Sequence, residues 1–224
     1  MLPMPVLPLL AWLLPLCGAL GSRVAIWPWW TGFAICLVGA LCSLWLLLRL
    51  PWHPRRAVAL LGALPLVLPA WFLVKALQAH PINDVSTDPL DPPTLRWASQ
   101  TRSAADLPIN PAPLKFFPDN PAPLYTRANR PQVLAEARDL MTELGWQHSV
   151  SGQGLEAVVV SPWFGFRDDV ALRLFEGPKE LRIDMRSASR QGRSDLGANR
   201  ARIQDFLTRL HGRLAKAQGT TSEP

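Results

Sequence analysis

The residues best equipped for chemistry lie in one run, Arg186-Ser187-Ala188-Ser189-Arg190-Gln191-Gly192-Arg193-Ser194-Asp195-Leu196-Gly197-Ala198-Asn199. Its pattern predicts a strand end, a Gly- and Ser-containing loop and the start of a helix. Backbone N–H groups at a helix start lack intrahelical acceptors, and the helix dipole is positive there, so the place favours anions. Three arginines add forked donors that match carboxylate or phosphate oxygens. Arg186, Ser189, Arg190, Gly192, Arg193 and Ser194 are therefore the candidate anion-binding set.

A second polar group, Phe164-Gly165-Phe166-Arg167-Asp168-Asp169, opens a predicted strand that precedes the first run by one hairpin. In a meander the start of one strand lies beside the end of the next. Asp168 or Asp169 can then face Arg186 or Arg190, with Asp195 and Asn199 completing a polar network. Three outcomes are open: structural pairing of these charges, an anion site, or acid–base chemistry with Asp168 or Asp195 as the titrating group. The sequence carries no G-x-S-x-G, P-loop, G-x-G-x-x-G or H-E-x-x-H pattern. No catalytic residue can be assigned, and no metal or cofactor is implied. His148 alternates with Trp146 and Val150 and reads as a core or edge residue; His80 and His211 are isolated.

The elements around these residues follow from periodicity. Pro131 suits a helix first turn, and Val133, Leu134, Ala137, Leu140, Met141 and Leu144 then recur at helical spacing up to Gly145. Four alternating runs follow: Trp146–Val150, Leu155–Ser161, Val170–Phe175 and Leu181–Arg186. Ser151-Gly152-Gln153-Gly154 and Gly177-Pro178 provide turns, so the runs predict an antiparallel meander. A last helix from about Leu196 to Ala217 presents Leu196, Ile203, Phe206, Leu207, Leu210 and Leu214 on one face, with Ser194 or Asp195 as its N-cap. The expected fold is α+β, both helices packing on one face of a four-stranded sheet over residues 131–217. Residues 218–224 are expected to be a disordered tail.

Residues 81–131 contain 11 prolines, which forbids long helices and favours extended chain. Asn110-Pro111-Ala112-Pro113-Leu114 recurs as Asn120-Pro121-Ala122-Pro123-Leu124. Phe116, Phe117 and Tyr125 need a surface to cover, so 81–130 is expected to be an arm wrapped on the domain.

The first 80 residues are of another kind. Met1–Leu20, Val24–Leu48 and Ala57–Val74 contain no charged side chain, and about 20 apolar residues cross a bilayer core as a helix. Three transmembrane helices are expected, at about 1–20, 29–48 and 57–77. The first lacks the basic n-region and A-x-A site of a cleaved signal, and Leu16 before Cys17 does not suit a lipoprotein, so an uncleaved span is expected. Arg49, Arg55 and Arg56 between spans two and three outnumber Arg23 between spans one and two. The positive-inside bias then puts the N-terminus inside and residues 81–224 outside, in the periplasm of a bacterium with its inner membrane so spanned. Trp27, Trp29 and Trp30 would form the outer aromatic belt.

The net charge of +6 does not signal nucleic acid. Residues 1–80 hold five basic groups and no acid, leaving 18 basic and 17 acidic groups in the rest. A nearly neutral domain is a poor polyanion binder. All three cysteines, Cys17, Cys36 and Cys42, fall within the expected spans, so the outer domain has no thiol chemistry.

From about Ile82 to Leu214 the chain resembles the family known as domain of unknown function 1499. Three motifs in order carry the resemblance: Ile82-Asn83-Asp84-Val85-Ser86-Thr87-Asp88 with Pro92-Pro93; Phe164-Gly165-Phe166-Arg167-Asp168-Asp169; and Asp184-Met185-Arg186-Ser187-Ala188-Ser189-Arg190 through Gly192, Ser194-Asp195-Leu196-Gly197 and Asn199. Phe117 before Pro118 stands where the family more often shows tyrosine, and Leu95 stands where an aromatic often follows the proline pair. The resemblance implies an envelope or lumenal domain, often membrane-anchored, without an established activity. The expected partners are the bilayer and either an anionic envelope ligand or a membrane protein. An envelope hydrolase, a transferase or an envelope-sensing regulator is the alternative.

Overall fold

The computed structural model describes residues 6–53, 55–78, 80–152 and 154–220. The chain divides into two compact units. One holds the N-terminal helices together with the segment Ser161–Phe166; the other holds His80–Val160 and Arg167 onward.

In the first unit, α1 (Val6–Arg23) and α2 (Trp29–Leu48) pack closely, and α3 (Arg56–Ala63) packs on both. Small residues bring the backbones together, as in membrane helix pairs. A methyl group on Gly18 would stand 2.4 Å from the Gly32 carbonyl, and one on Gly39 would stand 2.5 Å from Pro15. Lacking hydrogen-bonding water, such a pair needs its polar atoms bonded internally; the Trp27 indole donates to the Gly18 carbonyl at 3.1 Å, and the Trp12 indole to Leu61 at 3.0 Å. The third apolar stretch is not one uniform helix. Pro65 supplies no N–H, and a 3-10 turn at Leu64–Leu66 separates α3 from α4 (Val67–Gln78). Among the described residues, Val6–Arg23, Trp29–Leu48 and Arg56–Gln78 are long and apolar enough to cross a membrane. The first five residues, where the first span was expected to begin, lie outside the described ones.

The second unit is built on a six-stranded antiparallel sheet. Its meander is β3 (Gln147–Ser151), β4 (Gly154–Val160), β5 (Arg167–Glu176) and β6 (Leu181–Ser189). Two three-residue strands, β1 (Asp84–Ser86) and β2 (Leu124–Thr126), both pair with β6. The helices are α5 (Arg96–Gln100), α6 (Arg130–Glu143) and α7 (Ala198–Thr220).

Strand alternation gives the sheet two different faces. Leu155, Ala157, Val170, Leu172, Leu174, Ile183 and Met185 meet Val133, Leu140 and Met141 of α6 and Ile203, Phe206 and Leu210 of α7 in one core. Trp146 stacks on Phe206 at 5.2 Å. The intervening residues, among them Glu156, Asp169, Ala171, Arg173, Asp184, Arg186 and Ala188, form the opposite face. Segments of 84–110 cover it, with Leu95 and Ala98 buried on Ala171 and Ala188.

Local signals act as expected at α6: the Asn129 side chain accepts from the Gln132 N–H, Pro131 sits in the first turn, and Gly145 takes positive φ after the end. The last helix is displaced. It begins at Ala198 rather than Leu196, because Leu196 and Gly197 both have positive φ, and it continues through Thr220, past the expected end at Ala217. Of the expected tail, 221–224 lie outside the described residues, as does Gln153 in the β3–β4 turn.

Candidate functional site

The charged face of the sheet is where the chemistry-bearing residues converge. Arg190 is fully buried. Its Nε and Nη2 both donate to the Asp169 Oδ1, at 2.8 and 2.7 Å. The Thr101 carbonyl and hydroxyl take Nη1 and the other side of Nη2, at 2.8 and 2.6 Å. The second Asp169 oxygen accepts from Arg102 Nε at 2.7 Å. Asp169 thus lies between two guanidinia, with Asp106 3.9 Å from Arg190 on the far side.

Four residues earlier on the same face, Arg186 is held by a two-toothed pairing to Asp84, Nε to Oδ1 at 3.0 Å and Nη2 to Oδ2 at 2.7 Å. The carbonyls of Pro93 and Asn110 take its remaining directions. Both arginines thus have all three nitrogens engaged.

The two proline-containing repeats have a shared role. The Asn110 amide donates to the Asp84 carboxylate at 3.2 Å, and the Asn120 amide to the Ser86 carbonyl at 3.3 Å. Each copy bonds back to β1 within the arm. Glu156 projects from β4 on this face and accepts the backbone N–H groups of Arg96 and Ala98, both at 2.9 Å. That supplies acceptors to the otherwise bare start of α5.

The helix-covered face carries the rest of the network. Asp168 pairs with Arg202 of α7 at 2.5 Å. Arg202 also donates to the Ser187 hydroxyl and to Asn199 Oδ1. Buried Asn199 is satisfied on both sides: Oδ1 accepts from Ser187 Oγ at 2.7 Å, while Nδ2 donates to the Asn83 carbonyl and to Ser189 Oγ. The Asp195 carboxylate accepts the N–H groups of Gly197 and Asn199 at 2.8 and 2.9 Å, and so closes the start of α7. The Asn83 amide donates to the Gly192 carbonyl, Ser189 N–H to the Asn83 carbonyl, Asp195 N–H to Ile82, and Ser194 Oγ to His80.

The six residues expected around an anion are therefore not gathered at one opening. Arg186, Ser189 and Arg190 point into the protein. Gly192, Arg193 and Ser194 lie on the outer loop, where Arg193 is exposed and, among the described residues, has no bonded partner. Of the expected pairings, Asp169 with Arg190 forms, whereas Asp168 turns to Arg202 and Arg186 to Asp84. His148 lies on the edge strand β3, 2.9 Å from the Thr142 hydroxyl.

Sequence reasoning passed over Asp84, Arg102, Glu156 and Arg202 as members of this network. Arg202 had a signal: it follows Asn199 by one helical turn and so shares its face. The others act across long chain separations that no local spacing encodes.

A further group, also not anticipated, opens to solvent. Asp88, Asp91, Arg173, Phe175, Arg182 and Asp184 line a groove of about 320 Å3. Asp184 at its floor is 1% exposed and receives Arg182, Arg173 and the Thr87 hydroxyl. Arg173 Nη1 reaches Asp91 at 2.8 Å, and Arg182 reaches Asp88 at 2.8 Å. Burial works to raise the Asp88 pKa, yet the Asp91 N–H and the guanidinia of Arg182 and Arg173 outweigh it and hold the carboxyl below its usual range. For Arg182, burial opposes the charge, but Asp184 and Asp88 keep it more firmly protonated than usual.

The three sequence motifs thus meet in space. Asp84 of the first binds Arg186 of the third, and Asp168 and Asp169 of the second bind Arg202 and Arg190. No curated protein matches the chain. A family model described as "Protein of unknown function (DUF1499)" matches residues 84–210, more than half of the chain, and the protein belongs to that family.

Proposed function

We propose that the protein is a membrane-anchored, non-catalytic binding module whose C-terminal unit lies outside the cytoplasm and recognises a partner protein or an anionic envelope component. One observation carries this reading: every carboxylate of the motif network is already committed. Asp84, Asp168 and Asp169 are held by arginines, and Asp195 and Glu156 by backbone N–H groups. A general acid or base must be able to exchange a proton with substrate in an accessible place. Asp168 and Asp195, the candidates for such a role, are instead fastened to Arg202 and to the start of α7.

Recognition needs exposed groups, and two places supply them. The groove edged by Asp88, Asp91, Arg173 and Arg182 offers both charges beside Phe175, which is 61% exposed. Mixed charge around an apolar residue suits a protein surface. Arg193 on its exposed loop suits an anion.

Photo-crosslinking in native membranes tests the partner reading. A benzophenone probe at Phe175 should yield a discrete protein adduct, and the same probe at Val150 on the edge strand β3 should not. Equal adducts from both positions, or none from Phe175, would count against the groove. Turnover of an envelope substrate by the purified chain, lost in Asp168→Asn but kept in Phe175→Ala, would favour the enzymatic alternative.

A further inference from the structure

We propose that the β4–β5 hairpin tip, Ser161–Phe166, is an interfacial membrane anchor, with Trp163 seated among lipid headgroups. The tip reads Ser-Pro-Trp-Phe-Gly-Phe, an aromatic loop on a strand pair that is otherwise part of a water-compatible fold. It belongs to the same compact unit as the apolar helices. Arg23, at the end of α1, donates to the Ser161 carbonyl at 2.8 Å. Phe166 meets Trp29 edge-on at 6.0 Å, Phe164 lies 6.5 Å from Phe33, and Phe164 and Phe166 stack on each other at 5.6 Å. Gly165 allows this approach: its φ is +71°, and a Cβ there would stand 3.0 Å from the Arg23 Cα.

Depth follows from the helix partners. Trp29 is the first residue of α2 and Phe33 lies one turn in, about 6 Å along the axis. A group packed on those two rings lies at the level where a span enters the bilayer, the boundary that Trp favours. Trp29, Trp30 and Phe33 are 42%, 62% and 60% exposed, as lipid-facing side chains of a span must be, and Trp163, the chain neighbour of Phe164, is 50% exposed. The aromatic surface of the tip therefore continues a surface already covered by lipid. A bilayer is the occupant this continuity selects; a partner protein would need to displace lipid from α2 as well.

The full chain, carrying p-benzoylphenylalanine in place of Trp163, is reconstituted in phosphatidylethanolamine/phosphatidylglycerol vesicles and irradiated. Intact-mass spectrometry should show phospholipid adducts from position 163 at a yield comparable to the probe at Trp30, and none from the probe at Phe175. Because Trp163 is half-exposed, the replacement leaves the packing of Phe164 and Phe166 in place. Adducts from Trp30 but only intramolecular crosslinks, or none, from 163 would overturn the anchor.

Discussion

Arg190 and Arg193 belong to the same motif and are in opposite situations. Arg190 has no exposed surface and shares a carboxylate with Arg102. Changing it to Gln strips Asp169 of one guanidinium inside the protein, and breaking such a pair costs about 3–5 kcal/mol. Arg190→Gln should lower the unfolding free energy of the C-terminal unit, read from urea titration, by an amount of that order, while Arg193→Gln should leave it nearly unchanged. Sulfate, compared with chloride at matched ionic strength, should raise the melting temperature of the wild type if the Arg193 loop holds an anion, through preferential binding to the folded state. Arg193→Gln should lose that increment; an equal increment in both proteins would remove the loop from consideration. Asp88 gives a pH-dependent counterpart. Its carboxyl titrates lower when folded than when unfolded, so the stability it contributes is present above the unfolded carboxylate range, about pH 4, and is lost as pH falls through the lower folded value. Asp88→Asn should flatten part of the acid limb in urea midpoints measured between neutral pH and roughly pH 3. The change is small, since solvent screens a group at a groove edge.

At the scale of elements, what could be read locally was read and what is imposed from a distance was not. The strands of the meander were legible because Leu181, Ile183 and Met185 alternate with Arg182, Asp184 and Arg186: the apolar set enters the helix-covered core and the charged set takes the other face, where the arm buries Asp184 and Arg186 as well. Asn129, Pro131 and Gly145 marked α6 for the same local reason. β1, β2 and α5 escaped because three to five residues carry no period; β6 and Glu156 define them from outside. Within the candidate site, strand order alone brought Asp168 or Asp169 within reach of Arg186 or Arg190, and of those pairings Asp169 with Arg190 forms. The partners Asp84 and Arg102 were not, because the arm supplies them from 67 to 102 residues away. The arm is consequently part of the fold. Deleting 81–129 would leave Arg186 without Asp84, Arg182 without Asp88 and Glu156 without its N–H donors. The shortened C-terminal unit should lose its cooperative urea transition and its dispersed amide NMR spectrum. A deletion variant with an unchanged midpoint would show that the arm contributes nothing to stability.

For the whole molecule, the arginines bear on which side of the membrane the C-terminal unit occupies. The arginines are unevenly placed along the apolar half: Arg49 closes α2, Arg55 and Arg56 precede and begin α3, and Arg23 alone ends α1. Lys and Arg within short loops hold those loops in the cytoplasm, so the α2–α3 connection is expected inside. With three crossings, the part after α4 is then expected outside. A phosphatase reporter that folds only outside the cytoplasm should be active when fused after residue 224 and silent when fused near Arg55. The cause can be separated from the outcome. Arg49, Arg55 and Arg56 contribute the bias, so changing all three to Gln should lower the activity of the C-terminal fusion and raise that of the loop fusion, as a fraction of chains inserts the other way. Arg23 cannot compensate, because it favours the inverted state. If the triple variant keeps the wild-type pattern, the loop arginines do not set the topology. If the wild-type pattern itself is reversed, the C-terminal unit is cytoplasmic and the search for its partner moves to that side.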